Sequence, residues 1–265
     1  MKDNNDILEE ALSLYEEKQT ELAVQAFLSI SQNPIAQFCL GEIYWNHEVE
    51  VEDNNSLALY WYGKAAENGN ALAQLWLGNN YCIGIRSKPD PEKAVYWYKM
   101  AADQNMTLAQ YHLAVCYAMG WGTEQNELEA VKLMSEAAKS NFFDAELFLA
   151  DYYRMKDAKH YWTLRNKIKE KYYQEIESNE KKALRYVEFL LSCCNQEDNN
   201  EAFRLLKELP ILHSENGLLK LADCYAKGIG TCVDKMNAIN ILEYLAPNSS
   251  KACSKLKILM EDCST

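Results

Sequence analysis

The sequence predicts an all-α fold, a right-handed α/α superhelix of about six to seven helix-turn-helix repeats. Three observations predict it. First, Ala36-Gln37-x2-Leu40-Gly41-x2-Tyr44 returns as Ala73-Gln74-x2-Leu77-Gly78-x2-Tyr81 and as Ala109-Gln110-x2-Leu113-Ala114-x2-Tyr117, a period of 36 or 37 residues. Second, a fainter echo, Leu149-Ala150-x2-Tyr153 and Leu221-Ala222-x2-Tyr225, falls on the same count and leaves one repeat hidden between. Third, an out-of-phase ladder of Ala58, Ala94, Ala130, Ala202 and Ala238 gives each repeat a second element.

The first ladder puts small and large apolar residues at i, i+4, i+5 and i+8, one face of a helix, here called A. The second opens helix B, which runs into Ala58-x-Tyr60-Trp61-Tyr62-x2-Ala65-Ala66 and Ala94-x-Tyr96-Trp97-Tyr98-x2-Ala101-Ala102. Alanine lets two helix axes approach, and neighbouring leucines and tyrosines fill the space left. Asn68-Gly69-Asn70, Gln104-Asn105 and Ser140-Asn141 stand where helix B ends in a left-handed cap. Gly84, Gly120-Trp121-Gly122 and Gly228-Ile229-Gly230 stand in the A-to-B connection. Asp53, Asp90, Asn126, Asp198 and Asp234 precede the ladder alanines at N-cap distance.

These residues resemble the Sel-one-like repeat, a relative of the tetratricopeptide repeat: Ala-x3-Leu-Gly-x2-Tyr, a Gly-x-Gly loop, Asp-x3-Ala, Trp-Tyr-x2-Ala-Ala and a closing Asn-Gly. The resemblance implies the solenoid fold and says little about function. Residues 1–34 read as a tetratricopeptide-like capping hairpin, with Ala11, Leu12, Leu14 and Tyr15 on one helix and Leu22, Ala23, Phe27 and Ile30 on the next. Residues 35–142 hold three regular repeats, and 143–215 two degenerate ones. In the first of these the connection between Tyr153 and Asp157 lacks about eight residues and helix B runs on through Tyr172-Tyr173; in the second, from Ala183 to Pro210, only helix B is recognisable. Residues 216–265 hold a last repeat and a C-terminal capping helix with Ala252, Cys253, Leu256, Leu259 and Met260 on one face.

Composition narrows the function classes. Lys and Arg number 27 against 39 Asp and Glu, a net charge of −12 that repels nucleic acid and favours a basic partner. No apolar run reaches membrane-spanning length and Met1 to Asp6 is polar, so a cytoplasmic protein with no membrane partner is expected. Nine cysteines, including Cys39, Cys82, Cys116, Cys224, Cys232, Cys263 and the vicinal Cys193-Cys194, do not recur as pairs and read as free, buried thiols. His47, His112, His160 and His213 are isolated, so neither a metal nor a cofactor is expected, and the Gly-x-Gly elements at 120 and 228 lie three repeats apart, as loop geometry rather than phosphate binding requires. Glu9-Glu10 and Glu16-Glu17 fall on exposed helical faces and serve solvation, not acid-base chemistry. Between Arg154 and Arg185 stand ten basic and five acidic residues, which is either a solvated helix or a second interface, a homodimer contact included.

Helices A line the inner side of such a stack, so the positions flanking each Leu-Gly form the candidate partner-binding face. Its informative members are Trp45, Trp76, Tyr111, His112 and Phe148, interleaved with Glu42, Asn79, Asp151, Arg154 and Asp223. Aromatic anchors among carboxylates suit a basic protein segment. Trp45 and Trp76 are the strongest candidates, because the periodic core offers an indole there no partner. Phe38, Leu75, Tyr111 and Leu147 divide between core and surface. The expectation is a non-catalytic scaffold holding one basic protein. The resemblance adds that bacterial proteins of this kind serve as adaptors in secretion or signalling, or as immunity proteins neutralising a toxin. A thiol-dependent redox enzyme and a regulatory subunit binding peptidoglycan or a small molecule are the readings from other classes.

Overall fold

The computed structural model describes residues 3–49, 51–84, 88–193 and 195–261, and Cys194 and Cys263 lie outside that range. Among the described residues there are fifteen α-helices, two short 3-10 turns and no strand. They fall into two compact units, Met1–Phe142 and Phe143–Thr265.

Unit 1 holds α1 (Asn4–Glu16), α2 (Thr20–Ser29), α3 (Pro34–Trp45), α4 (Asn54–Glu67), α5 (Ala71–Ile83), α6 (Pro91–Ala102), α7 (Thr107–Met119) and α8 (Glu127–Lys139), which pack as four successive hairpins. Unit 2 holds α9 (Phe143–Arg154), α10 (Ala158–Ser178), α11 (Glu180–Ser192), α12 (Gln196–Glu208), α13 (Glu215–Lys227), α14 (Lys235–Leu245) and α15 (Ser250–Glu261), three hairpins with α15 packed on α14. Ala58, Ala94, Ala130, Ala202 and Ala238 are all wholly buried, as close axial approach requires.

The helix ends follow their sequence signals. Asp53, Asp90, Asn126 and Asp234 each accept a hydrogen bond from the backbone N–H three residues on. Gly69, Asn105 and Asn141 take positive φ at the ends of α4, α6 and α8. The Ala-Gln pair has a role that periodicity left blank. Buried Gln37 and Gln74 donate to the carbonyls of Ser31 (2.7 Å), just past α2, and Ala66 (3.0 Å), in the last turn of α4. Asn68 and Gln104, at the ends of α4 and α6, then donate to the same glutamines at 2.9 and 2.8 Å.

Five expectations are corrected. Asp198 is not an N-cap: α12 begins a turn earlier at Gln196, capped by Asn195, and Asp198 is wholly buried as an ion-pair acceptor. The degenerate repeat from Ala183 does keep both helices, α11 and α12. The shortened connection loses fewer residues than expected, since α9 and α10 are joined by 155–157 where α5 and α6 are joined by 84–90. Even so Asp157 N–H donates to Tyr153 O at 2.8 Å, as Asp90, Asn126 and Asp234 do to Tyr81, Tyr117 and Tyr225. The closing bond survives the deletion. Leu22 is exposed, so α2 buries Ala23 and Phe27, with Ile30 just beyond its end. On α15, Cys253 and Met260 are exposed, and Ala252 and Leu259 carry the buried face.

The seven cysteines within the described residues are free thiols; Cys39, Cys116, Cys193 and Cys224 are buried, Cys82 is intermediate, and Cys232 and Cys253 are exposed. Burial pushes the Cys39, Cys116 and Cys224 thiols up to about 11, so they rest protonated at neutral pH.

Candidate partner-binding face

In unit 1 the candidate face of helices A is assembled by one device used twice. Gly41 and Gly78 remove the side chain from the middle of α3 and α5, and a tyrosine of the paired B helix fills the space. A methyl group on Gly78 would lie 2.5 Å from the Tyr98 ring, and one on Gly41 would lie 2.8 Å from Tyr62. The buried rings thus reach through to the inner side. There the Tyr62 hydroxyl donates to Glu42, and Tyr98 donates to Asn79 at 2.9 Å. Burial, then the bond to Glu42, drives the Tyr62 hydroxyl far above the usual tyrosine range, so it stays a donor.

The same rings seat the next repeat. Tyr62 stacks on Trp76 (centroids 3.9 Å, planes 18° apart), and Tyr98 stacks on His112 (5.2 Å, 20°). Trp76 meets Trp45 edge-on at 5.0 Å, and Phe38 meets Tyr62 edge-on at 5.7 Å. Tyr111 continues the row between His112 (5.5 Å) and Phe142 (5.2 Å). The third repeat drops the device: Ala114 replaces glycine, buried Met134 replaces tyrosine and Val115 replaces the acceptor. The three changes are consistent, because a methionine needs neither the gap nor an acceptor.

Trp45 and Trp76 are therefore not rings without neighbours, as the periodic core implied. They belong to the packing between repeats, Trp45 against Trp76 and Trp76 on Tyr62, and both are half-buried. Glu42, Asn79, Tyr111 and His112 are likewise half-buried, whereas Leu75 belongs to the core. Burial lowers the His112 pKa below its ordinary value, so the ring is neutral at pH 7. No Lys or Arg occupies the inward positions of α3, α5 or α7.

Unit 2 places its predicted residues differently. Leu147 is buried and Phe148 half-buried on α9. Asp151 pairs with Arg154 at 3.0 Å, and Arg154 also donates to the Ser192 carbonyl. Asp223 receives Lys255 on both oxygens at 2.6 Å, and Lys220 pairs with Glu188 at 2.9 Å. Here the inward charges already answer one another. Within the basic stretch, Lys169 pairs with Glu201 of α12, Lys171 with Glu146 of α9, and Lys182 of α11 with Glu175 of α10.

Sequence reasoning missed Tyr62 and Tyr98 as builders of the face. The signal was present in Gly41 with Tyr62, Gly78 with Tyr98 and Ala114 with Met134, a pairing visible only once the A and B ladders are read together. Lys255 and Glu188 left no comparable trace. Among the described residues no group of His, Cys, Asp and Glu is placed to hold a metal, and no helix is long and apolar enough to cross a membrane.

Comparison with known proteins gives the following. The family model described as the Sel1 repeat matches residues 34–70, 71–106, 107–142 and 216–243, just over half of the chain. No curated protein matches the sequence. A Sel1 repeat protein from Oxalobacter formigenes is 26% identical with a TM-score of 0.63, over 97% of this chain and 76% of that one. The protective antigen c5321 of uropathogenic Escherichia coli, described as having an SLR fold, is 18% identical with a TM-score of 0.56; the match covers 96% of this chain but only 63% of that protein.

Proposed function

This chain belongs to the Sel1-repeat family, whose members generally act as protein-interaction scaffolds, and on that footing we propose that it holds a basic protein segment against the inner face of unit 1 without catalysing a reaction on it. One observation carries the reading: the half-buried indoles of Trp45 and Trp76 sit beside Glu42 on a surface whose helix-A positions hold no cation. Rings already locked by Tyr62 lose little freedom on binding, which favours their use as anchors. Carboxylates around them draw in Lys and Arg side chains, and Trp45, Trp76 and Tyr111 offer faces for cation-π contact. A basic toxin would suit such a surface, which makes an immunity role the most specific form of the proposal.

The test is co-purification from the native cells with quantitative mass spectrometry. Trp76→Ala and Glu42→Gln should each release the same basic protein, while the Asp223→Ala variant keeps it; the glutamine retains an acceptor for Tyr62 and removes only charge. Raising salt from 0.1 to 0.5 M should weaken the complex, as screening requires. Retention of the partner by both unit 1 variants, or capture of an acidic partner, would refute the proposal.

A further inference from the structure

Two of the long A-to-B connections, 120–126 and 228–234, do more than join helices: each lays a glycine on the start of the preceding B helix. A Cβ on Gly122 would lie 2.2 Å from the carbonyl oxygen of Pro91, and one on Gly230 would lie 2.1 Å from that of Asn199 and 2.8 Å from Phe203 Cβ. Pro91 and Asn199 hold the same register, three residues before Ala94 and Ala202. The residue ahead of each covering glycine is bulky and apolar, Trp121 in one loop and Ile229 in the other, and both pack on the core.

Among the described residues helix α10 lacks this cover. The connection that would supply it, between α11 and α12, is only residues 193–195, where the two covering loops span 120–126 and 228–234. Counted from the N-cap Asp157, the positions matching Pro91 and Val95 are Ala158 and Trp162. These two residues line a depression of about 460 Å³, closed on the far side by Ser192, Cys193 and Asn195. Its polar floor is satisfied, since Tyr161 donates to Asp198 and lies 3.2 Å from Cys193 Sγ. Its rim is open and apolar: Met155 is 86% exposed.

We propose that this notch receives a tight loop of a partner protein, one that presents a bulky apolar side chain between small residues. The occupant's chemistry follows from the sister repeats, where the chain's own Trp121 and Ile229 loops lie over the same register. The short α11–α12 connection leaves an apolar seat in the register that those loops cover. The inference rests on the scaffold reading in that the occupant is a protein, and it uses no residue of unit 1.

The probe is a cyclic peptide of residues 118–124, Ala-Met-Gly-Trp-Gly-Thr-Glu, titrated into the full chain while the Trp162 indole and the Ser192 and Asn195 amides are followed by NMR. Saturable shifts at these three groups are expected, with a peptide carrying alanine for tryptophan bound at least about tenfold more weakly. Filling the exposed seat by Ala158→Trp should abolish the shifts, and Met155→Glu on the open rim should weaken them without touching the packing. Trp76→Ala should leave them unchanged, so this result stands apart from the fate of the unit 1 face. Absence of saturable shifts, equal binding of the two peptides, or undiminished binding by Ala158→Trp with an unaltered circular dichroism spectrum would overturn the proposal.

Discussion

Unit 1 and unit 2 are built from one repeat, yet they hold successive hairpins together by different chemistry. Residues 1–142 carry 9 Lys and Arg against 20 Asp and Glu, and residues 143–265 carry 18 against 19, so nearly all of the net charge of −12 lies in unit 1. In the register where unit 1 has Tyr62 and Tyr98, α10 has Arg165, and where the ladder has alanine it has Tyr161. Arg165 reaches wholly buried Asp198 at 2.5 Å and also pairs with Glu201, while Tyr161 and Asn195 donate to Asp198. Stacked rings and neutral donors leave unit 1 a face with charge to spare. Buried and paired charges leave unit 2 a surface whose electrostatics are largely spent internally.

The sharpest way to break this contrast is Asp198→Ala. It strands the Arg165 guanidinium in the core and should cost unit 2 about 3–5 kcal/mol, read as loss of amide protection in α10 to α12 with α3 to α6 unaffected. Replacing both partners, Arg165→Met with Asp198→Leu, should recover most of that loss; no recovery would mean the pair contributes more than mutual neutralisation. Next in size, Gly78→Ala pushes a methyl group into the Tyr98 ring and should cost unit 1 about 1–3 kcal/mol in urea denaturation. Adding Tyr98→Met, the combination already present at Ala114 and Met134, should restore it, and a purely additive double mutant would refute the pairing.

A smaller effect separates the units by pH. Folding holds His112 neutral, so below the ordinary histidine pKa of about 6.5 the unfolded chain takes up a proton that the folded chain resists. Unit 1 should therefore lose stability as pH falls from 7 toward 5, and His112→Phe should remove that component; an unchanged profile would contradict it. Smallest of all, Asp223→Ala breaks a part-exposed pair with Lys255 and should change unit 2 stability by no more than about 1 kcal/mol, and by less in high salt.

The degenerate stretch shows where sequence reading stops. Asp198 stands four residues before Ala202, the spacing of the Asp90, Asn126 and Asp234 caps, yet it is buried because Asn195 starts the helix one turn sooner. A cap position and a core acceptor look alike until Arg165, 33 residues away, is placed beside it. Trp76 shows the same limit: its place on helix A was readable, but not the Tyr62 ring stacked on it.

The sequence alone determined the repeat length, the two helices of each regular unit, their caps and the small residues at their crossings, because all of these depend on residues within a turn or two of one another. Tertiary structure alone decided which inward residues are spent on neighbours, which carboxylate is buried, and that a shortened connection leaves α10 uncovered. Those outcomes depend on side chains a full repeat apart, whose directions and mutual reach are set only when the hairpins pack.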